Sequence, residues 1–263
     1  MVAVAGYAET QWRPREQSLT GQFITAYRDR LYLLLQVLSR FGQTWRHTNV
    51  AYIVPGFASV YRSTALRQID VNPHGLVIED FNMTFELHRK RLGRIGFKPG
   101  VKAYCQEPHT LGDYYRQVRR WTLGFWQTVR RHGVWPSLFW AALILLILEV
   151  VVTSIGFLAA IGLAVFLALP PLTGDAVLGW DLYAENHAAL SGLITLPALA
   201  FGIFVPDYFM TCMVAAYRRR PKYLLLGMGF LALRAVDAAI SLRTIPQGWT
   251  TRSTGVWRSP SRR

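Results

Sequence analysis

The longest apolar run of the chain, Leu138 to Leu169, limits the possible folds more than any other stretch of the sequence. Its 32 residues contain one charged side chain, that of Glu149. Because about 20 apolar residues suffice to cross a bilayer, the run predicts one long tilted membrane helix, or a crossing with an interfacial extension. The expected fold class therefore includes membrane α-helices.

The charges around the next apolar segment predict its orientation. Residues Pro170 to Ala188 include three acidic side chains and neither Lys nor Arg, so we expect this loop outside the cell. Ala189 to Tyr217 is predicted to cross the membrane a second time. The three arginines that follow, Arg218 to Arg220, are then expected on the cytoplasmic side.

A third apolar segment, Tyr223 to Leu242, leaves two topologies open. It is long enough to cross, but it carries Arg234 and Asp237 one helical turn apart, which could pair inside a bundle. If it crosses, the basic tail 246–263 ends outside; a re-entrant or interfacial segment keeps that tail in the cytosol. We therefore expect two or three transmembrane helices within residues 136–245.

Charge and cysteine content narrow the class of protein. The chain of 263 residues has a formal net charge of +14, and many of its arginines lie beside apolar segments, as cytoplasmic loops of membrane proteins require. This distribution argues against a nucleic-acid-binding protein. Cys105 and Cys212 are the only cysteines, which predicts no disulfide framework, no metal cluster and a reducing, cytoplasmic environment for the soluble part.

Residues 1–110 read as a soluble α/β region. Apolar runs predict strands, a three- and four-residue apolar repeat predicts a long helix, and Pro55–Gly56 predicts a turn. The acidic pair Glu79–Asp80 is expected to open a helix, where a carboxylate is often only a cap. The predicted elements are a strand at Val2–Tyr7, a helix within Glu16–Phe41, a strand–turn–strand unit at Asn49–Arg62, a strand at Leu76–Ile78, and a short strand within Gly93–Gln106.

An amphipathic helix is predicted from Leu111 to Gly133, within a region 111–135 that precedes the apolar run. Its mostly apolar stripe consists of Leu111, Tyr114, Tyr115, Val118, Thr122, Phe125 and Val129. Gln117, Arg120, Trp121 and Gly124 fall together on a different face. A basic helix lying on an anionic membrane surface explains the stripe and the arginines, but it gives no reason for that second cluster.

The pattern Gln117-x-x-Arg120-Trp121, which follows Glu79–Asp80 and precedes membrane segments, resembles a known signature. It is similar to that of the processive family 2 glycosyltransferases, among them the cellulose, chitin, hyaluronan and poly-N-acetylglucosamine synthases. Glu79–Asp80 resembles the family's Thr-Glu-Asp motif, with Ile78 in place of the threonine. The resemblance covers about residues 1–135, and it implies the C-terminal, acceptor-side half of a GT-A domain for residues 1–110.

The resemblance also implies roles for single residues. Asp80 matches the base that deprotonates the acceptor hydroxyl, and Glu79 either orients it or serves as a cap. Arg120 would lie by the donor diphosphate, Trp121 would form an apolar wall for the acceptor sugar, and Gln117 would add a hydrogen bond.

A loop that borders the acceptor sugar in the family corresponds to Gly56, Phe57 and Arg62, although an ordinary hairpin explains Phe57 equally well. The carboxylate of Asp80 and the Arg120–Trp121 pair are expected to meet across one sugar-sized cleft.

The family's donor-binding half, with its metal-binding Asp-x-Asp, has no counterpart in this sequence. We therefore expect an N-terminally truncated or split enzyme, or a start placed too late. A divalent metal, Mg²⁺ or Mn²⁺, is implied, with its ligands outside this chain. The expected partners are a nucleotide-sugar donor, a glycan or lipid-linked acceptor, the membrane and possibly a chain that carries the nucleotide-binding half, but no nucleic acid.

These inferences predict an inverting, multi-pass glycosyltransferase of the inner (plasma) membrane, or its acceptor-side fragment. It would transfer a sugar from a nucleotide donor to a growing polysaccharide or a glycolipid. The alternative is a non-catalytic membrane subunit or pseudoenzyme that lacks the nucleotide-binding half. A small transporter is disfavoured, because the soluble part of the chain is too large for one.

Overall fold

The computed structural model describes residues 1–253, so most of the predicted basic tail, 246–263, lies outside the described residues. The chain divides into two compact units. One comprises Met1–Val150 together with the chain from Ile240 onward, and the other comprises Val151–Ala239. Each unit is described below by itself.

The first unit contains a three-stranded mixed sheet. Its strands are β1 (Ala3–Thr10), β2 (Ser59–Tyr61) and β3 (Ile95–Cys105), in the order β2-β1-β3. β1 runs parallel to β3 and antiparallel to β2. The central strand β1 is buried along nearly its whole length, which explains why its sequence is apolar without alternation. The strand predicted at Val2–Tyr7 is confirmed, whereas β3 is longer than expected.

The long helix predicted within Glu16–Phe41 is present, but its last part is a π-helix and not an α-helix. α1 (Leu19–Leu34) begins after Ser18, whose hydroxyl accepts the N–H of Gly21, and continues as a π-helix at Leu35–Arg40. The chain then forms the short α2 (Phe41–Thr44). In the π-helical turn, the Gln36 side chain bonds both backbone groups of Ala8, at 2.8 and 2.9 Å. The Gln36 amide thus provides partners for the N–H and C=O groups of Ala8, which would cost free energy if they were buried without hydrogen bonds.

The strand–turn–strand unit predicted at Asn49–Arg62 is wrong in its first half. Only Ser59–Tyr61 forms a strand, and it pairs with β1. Residues 50–57 form an irregular loop instead, because their backbone bonds to side chains: the Val54 N–H donates to the Thr84 hydroxyl at 3.0 Å. The short α3 (Ser63–Leu66) follows β2.

The strand predicted at Leu76–Ile78 is also wrong. The segment has no strand partner among the described residues, and its Val77 N–H donates to the side chain of Gln127 at 3.0 Å. A short apolar run can be buried by packing on a helix as well as by pairing in a sheet, and periodicity alone does not separate the two. α4 (Asp80–Arg89) follows directly, as expected.

The amphipathic helix is confirmed as α5 (Leu111–His132), which Thr110 caps by accepting the Asp113 N–H at 3.1 Å. Its burial extends beyond the predicted stripe, whose first residue, Leu111, is exposed. The additional buried positions are Asp113, Leu123, Gly124, Trp126, Gln127, Thr128 and His132. The reason is tertiary: a Cβ at Gly248 would lie 2.4 Å from the Cβ of Trp126, so the chain after Ile240 packs closely on α5.

The apolar half of the chain is helical, with bounds that differ from those predicted. α6 (Leu138–Thr173) and α8 (Leu196–Arg218) are the two described helices that are long and apolar enough to cross a membrane. The predicted outer loop 170–188 is wrong as a loop. It holds the last turn of α6, a 3₁₀ turn at Ala176–Gly179 and much of α7 (Asp181–Leu193).

The second apolar helix starts later than predicted. Ile194 and Thr195 interrupt the helix, the Thr195 hydroxyl accepts the Ala198 N–H, and Pro197 occupies the first turn, where its missing N–H costs nothing. The segment Tyr223–Leu242 is also divided, into α9 (Lys222–Gly227) and α10 (Phe230–Thr250).

In the second unit, Arg234 forms an ion pair with a residue of another helix, and not with Asp237, the nearby acidic residue that the sequence offered as a partner. The Arg234 guanidinium bonds Asp207 of α8 at 3.2 Å and lies 4.7 Å from the ring centroid of Phe157. Asp207 is buried, so its carboxylate needs the partner that Arg234 provides.

Candidate functional site

Asp80 is the first residue of α4, and its carboxylate accepts the Gly56 N–H at 2.9 Å. The preceding Glu79 occupies the cap position, is exposed and makes no capping hydrogen bond with its side chain. The two adjacent acidic residues therefore have different environments. Asp80 is tied to the loop before β2, whereas Glu79 faces solvent.

The environment of Asp80 makes it a stronger base than an ordinary aspartate. Burial raises its pKa to about 6; the Gly56 hydrogen bond lowers that pKa, the charge of Glu79 raises it, and Arg120 lowers it. The carboxylate is therefore ionised at neutral pH, yet its affinity for a proton is close to what a general base needs. The contribution of Arg120 also shows that its positive charge lies close to Asp80.

The loop that contacts Asp80 is fixed at two points. The Thr84 hydroxyl accepts the Val54 N–H and donates to the Asp80 carbonyl at 2.8 Å, which joins the loop to the first turn of α4. At Gly56 a Cβ would lie 2.7 Å from Asp80 Oδ1. Any side chain at this position would therefore displace the carboxylate.

Tyr61 of β2 adds an apolar and uncharged neighbour. Its hydroxyl donates to the Val54 carbonyl at 3.4 Å, and burial, followed by the charge of Asp80, raises the pKa of Tyr61. The phenol thus stays protonated and does not compete with Asp80 as a base.

The segment before Asp80 is docked on α5. A Cβ at Gly124 would lie 2.9 Å from the Cβ of Ile78, so only glycine allows this approach. The buried Gln127 side chain accepts the Val77 N–H and donates to the Thr251 carbonyl at 3.1 Å. These contacts bring the start of α4 beside the part of α5 that carries Arg120.

An arginine of α1 contacts Gln117 and Trp121, which share a helix face of α5 with Arg120. Arg28 donates to the Gln117 carbonyl oxygen at 3.3 Å, and its guanidinium carbon lies 4.6 Å from the Trp121 ring centroid and 4.8 Å from that of Tyr114. One face of the Trp121 indole is thus covered by a cation.

Arg28 is 5% exposed, and Glu107, also buried, provides an opposite charge 3.8 Å from its Nε atom. Burial raises the pKa values of Tyr32 and Cys105, and Glu107 raises both further. The Cys105 thiol donates to Glu107 at 3.2 Å. Gln117 and Trp121 therefore contact an arginine that belongs to a buried set of polar groups, and none of these groups is part of the sequence motif.

Sequence reasoning missed Arg28 and Glu107 as parts of this region. Arg28 stands within the apolar repeat of the predicted α1 helix, and Glu107 within the polar stretch before α5, so each has the sequence context of a solvated charge. A signal that could have pointed to Arg28 is its position next to Tyr27, on the face that the apolar repeat predicts to be buried.

The predicted loop residues Phe57 and Arg62 are only partly brought into this region. The Phe57 ring, which follows Gly56, is 55% exposed. Arg62 is exposed before α3, and its backbone N–H donates to the Val2 carbonyl at 2.8 Å. No hydrogen bond or ion pair described within residues 1–253 joins Arg62 to Asp80. The structure therefore gathers Asp80, Gly56 and Arg120, holds Gln117 and Trp121 on the same helix as Arg120, and leaves Arg62 apart.

A metal site is not formed by the described part of the chain. Residues 1–253 contain no group of three or more His, Cys, Asp or Glu side chains placed to hold a metal ion. The side chains present around Asp80 thus do not fit the divalent cation that the resemblance implies.

Comparison with protein families identifies the class. The model of glycosyl transferase family group 2 matches residues 14–217, more than three quarters of the chain, and the chain belongs to this family. No curated protein matches the chain at a significant level. The family transfers sugars from nucleotide-sugar donors to glycan acceptors and is generally associated with divalent metals. The chain is accordingly a glycosyltransferase by family.

Proposed function

We propose that the chain is a membrane-bound, inverting glycosyltransferase of the GT-A type, or the acceptor-side part of one. It transfers a sugar from a nucleotide donor to a growing polysaccharide or a glycolipid. The observation that carries this proposal is the environment of Asp80: a carboxylate with a pKa of about 6, anchored by the Gly56 N–H and close to Arg120. Family membership supplies the reaction class.

In the proposed reaction, Asp80 takes the proton from the acceptor hydroxyl as its oxygen attacks the anomeric carbon of the donor sugar. A new C–O bond forms on one face while the bond to the diphosphate breaks on the other, so the configuration inverts. The electron pair leaves with the diphosphate. The Arg120 guanidinium, which is suited to phosphate oxygens, stabilises the charge that develops there.

The acceptor sugar would lie between Asp80 and the aromatic side chains. Phe57, exposed beside Gly56, offers an apolar surface for a sugar ring. Trp121 can offer only the parts of its indole that Arg28 does not cover. Gln117 accepts from Arg28 through its carbonyl oxygen, so its NH₂ group is the part with donors available to a sugar hydroxyl. The negative charge of Glu79 raises the pKa of Asp80. Arg62 is proposed only as a contact for the outer part of an acceptor.

The metal of the family has no step in this mechanism, because the described side chains do not form a group that fits one. That same observation favours the second candidate function, a non-catalytic membrane subunit. Such a subunit would complete an enzyme whose nucleotide-binding residues lie on another chain.

The membrane setting is part of the proposal. α6 and α8 have the length and hydropathy of membrane-spanning helices. We propose a multi-pass protein of the inner membrane with a cytoplasmic catalytic region at 1–110, an interface helix within 111–135, a transmembrane region at 136–245 and a tail at 246–263. The arginines at 218–220, after α8, fit the cytoplasmic side.

The decisive experiment is Asp80→Asn in the full chain. Membranes that contain the wild-type chain are incubated with a panel of labelled nucleotide sugars, and sugar incorporation is measured. Loss of a general base should lower the turnover about 10²–10⁴-fold without changing membrane insertion. Near-normal turnover of the variant would refute the assignment.

Asp70→Asn is the matched control, because the Asp70 carboxylate pairs with Arg131 at 2.7 Å in a partly exposed bridge. Such a bridge contributes about 0–1 kcal/mol to stability, so turnover should be nearly unchanged. If the wild-type chain transfers no sugar from any donor, the non-catalytic subunit becomes the better interpretation.

A further inference from the structure

A cavity lies at the opposite end of α4 from Asp80. Its volume is about 330 Å³, and it is bounded by the loop after α2, the C-terminal end of α4 and the chain that enters α6. α4 has ten residues, and because a helix rises about 1.5 Å per residue, the cavity is roughly 15 Å from the carboxylate. It is therefore separate from the candidate catalytic site.

One wall of the cavity is aromatic. The His88 ring stacks on Phe139 with centroids 4.3 Å apart, and Trp135 stacks on the same phenyl ring at 5.5 Å. The His88 Nε2 atom bonds the Ala51 carbonyl at 2.8 Å, and burial lowers the pKa of His88. This wall thus carries no charge at neutral pH.

The positive charge of the cavity comes from Arg91. The two basic residues that precede it are already engaged: Arg89 donates to the His132 carbonyl at 2.9 Å, and Lys90 pairs with Glu86 at 2.6 Å. Within residues 1–253, no described hydrogen bond or ion pair involves the Arg91 guanidinium, and the side chain is exposed. No acidic side chain is among the described residues that line the cavity.

Arg91 also occupies a backbone position that favours glycine. Its φ angle is +51°, and the N–H of the next residue, Leu92, bonds the Leu87 carbonyl, which is the helix-ending turn whose left-handed residue is usually glycine. An arginine is strained there. The strain has a function if the side chain at this position is needed in the cavity.

The cavity lies where the first apolar helix begins. Ser137 caps α6 by accepting the Trp140 N–H at 3.2 Å, and both Ser137 and Leu138, the first residue of α6, line the cavity. Thr48, a second residue with a hydroxyl, also lines the cavity. A tryptophan, a cation and hydroxyl groups at the start of a membrane helix are suited to the polar boundary of a bilayer.

We propose that this cavity binds the phosphate headgroup of an anionic phospholipid, with Arg91 as the phosphate contact and Trp135 beside the glycerol region. This inference rests on the proposed membrane setting but not on sugar transfer. A guanidinium gives a phosphate two parallel hydrogen bonds. The Ser137 and Thr48 hydroxyls donate instead to the Trp135 and Gly42 carbonyls.

The test uses the full chain, purified in a neutral detergent and titrated with mixed micelles of either dioleoyl phosphatidylglycerol or dioleoyl phosphatidylcholine. Binding is measured by native mass spectrometry. The wild-type chain should prefer phosphatidylglycerol, and Arg91→Gly should weaken that binding about tenfold while phosphatidylcholine binding is unchanged. Because glycine relieves the backbone strain, the Tm of the lipid-free variant should not fall, which separates loss of the site from loss of the fold.

Arg94→Gln is the matched control, since it removes one positive charge three residues away without touching the cavity lining. Equal weakening by both variants would show general surface attraction and overturn the site. Arg91→Lys should retain part of the preference. Displacement of the lipid by inorganic phosphate alone would identify a free-anion site and would also overturn the proposal.

The outcome is distinguishable from that of the proposed function. If alkaline carbonate extracts the chain from membranes, the chain is not inserted in the bilayer and the proposed membrane setting is wrong. A membrane-inserted chain with equal affinity for both lipids would remove only this site, whatever the Asp80→Asn variant does to sugar transfer.

Discussion

The two sides of the candidate site are held in place by different forces. On the α4 side, Asp80 is positioned by a backbone N–H and by the close approach of Gly56, with Gly124 allowing Ile78 to pack on α5. On the α5 side, Gln117 and Trp121 are positioned by Arg28, a buried charge. The first arrangement depends on the absence of side-chain atoms, whereas the second depends on the balance of charges.

The difference has consequences for mutation. A methyl group added on the α4 side moves the carboxylate but leaves every charge compensated, so it should alter activity more than stability. A charge removed on the α5 side leaves a buried partner behind, and such a loss mainly destabilises the fold. Variants of the two sides should therefore separate stability from turnover.

Arg28→Met should give the largest effect on stability. It removes the charge opposite the buried Glu107 and the cation that stacks on two aromatic rings. Breaking a buried pair from one side costs about 3–5 kcal/mol, so the unfolding free energy should fall by that order. The measurement is denaturant or thermal unfolding of the full chain in a neutral detergent.

Two companion variants sharpen this prediction. Arg28→Lys keeps the charge but loses the planar stacking, so its loss should be smaller, on the order of 1–2 kcal/mol. The double variant Arg28→Met with Glu107→Gln should recover part of the stability, because no buried charge is then left uncompensated. If Arg28→Met is as stable as the wild type, charge balance does not hold this side together.

Gly56→Ala should give the largest effect on turnover among variants that keep all charges. The new Cβ would lie 2.7 Å from Asp80 Oδ1, so the carboxylate must shift or the loop must open. A misplacement of about 1 Å can cost about 10²-fold in rate, and we expect a loss of that order in kcat. Sugar incorporation and thermal stability are measured on the same preparation.

Gly42→Ala provides the control for this substitution. A Cβ at Gly42, in the short α2, meets nothing within 4 Å, and its φ angle is not in the left-handed region. Its turnover should equal that of the wild type. Should Gly56→Ala behave like Gly42→Ala, the Gly56 loop does not set the position of Asp80.

The sequence predicted the helices better than the contacts between them. α5 was found because its apolar stripe repeats every three to four residues over 22 residues, a signal that short elements lack. The short apolar runs at 49–54 and 76–78 predict strands, but the side chains of Thr84 and Gln127 bond their backbone. Those partners lie 30 and 50 residues away in the chain, so no local pattern could reveal them.

The same limit applies to the candidate site. The spacing of Gln117, Arg120 and Trp121 placed them on one helix face, because helical geometry fixes positions within an element. The contact of Arg28 with that face joins residues 89 positions apart, and the apolar repeat around Arg28 indicates at most that it is buried, not which residues it contacts. The apolar helices were predicted from hydropathy, but their ends depend on caps such as Thr195, which hydropathy does not include.

The smallest expected effect tests the difference between the two acidic residues at the start of α4. Because the pKa of Asp80 is raised to about 6, the active base form is lost as the pH falls through that value, and kcat/KM should decline on the acid side with an apparent pKa near 6. Glu79 raises the pKa of Asp80, so Glu79→Gln should move this limb to lower pH and leave turnover above pH 7 nearly unchanged. The pH profiles of both chains, measured with one donor and one acceptor, give the comparison. If Glu79→Gln loses turnover at every pH, Glu79 itself takes part in the reaction. If the acid side of the pH profile does not shift, solvent screens the charge of Glu79 from Asp80.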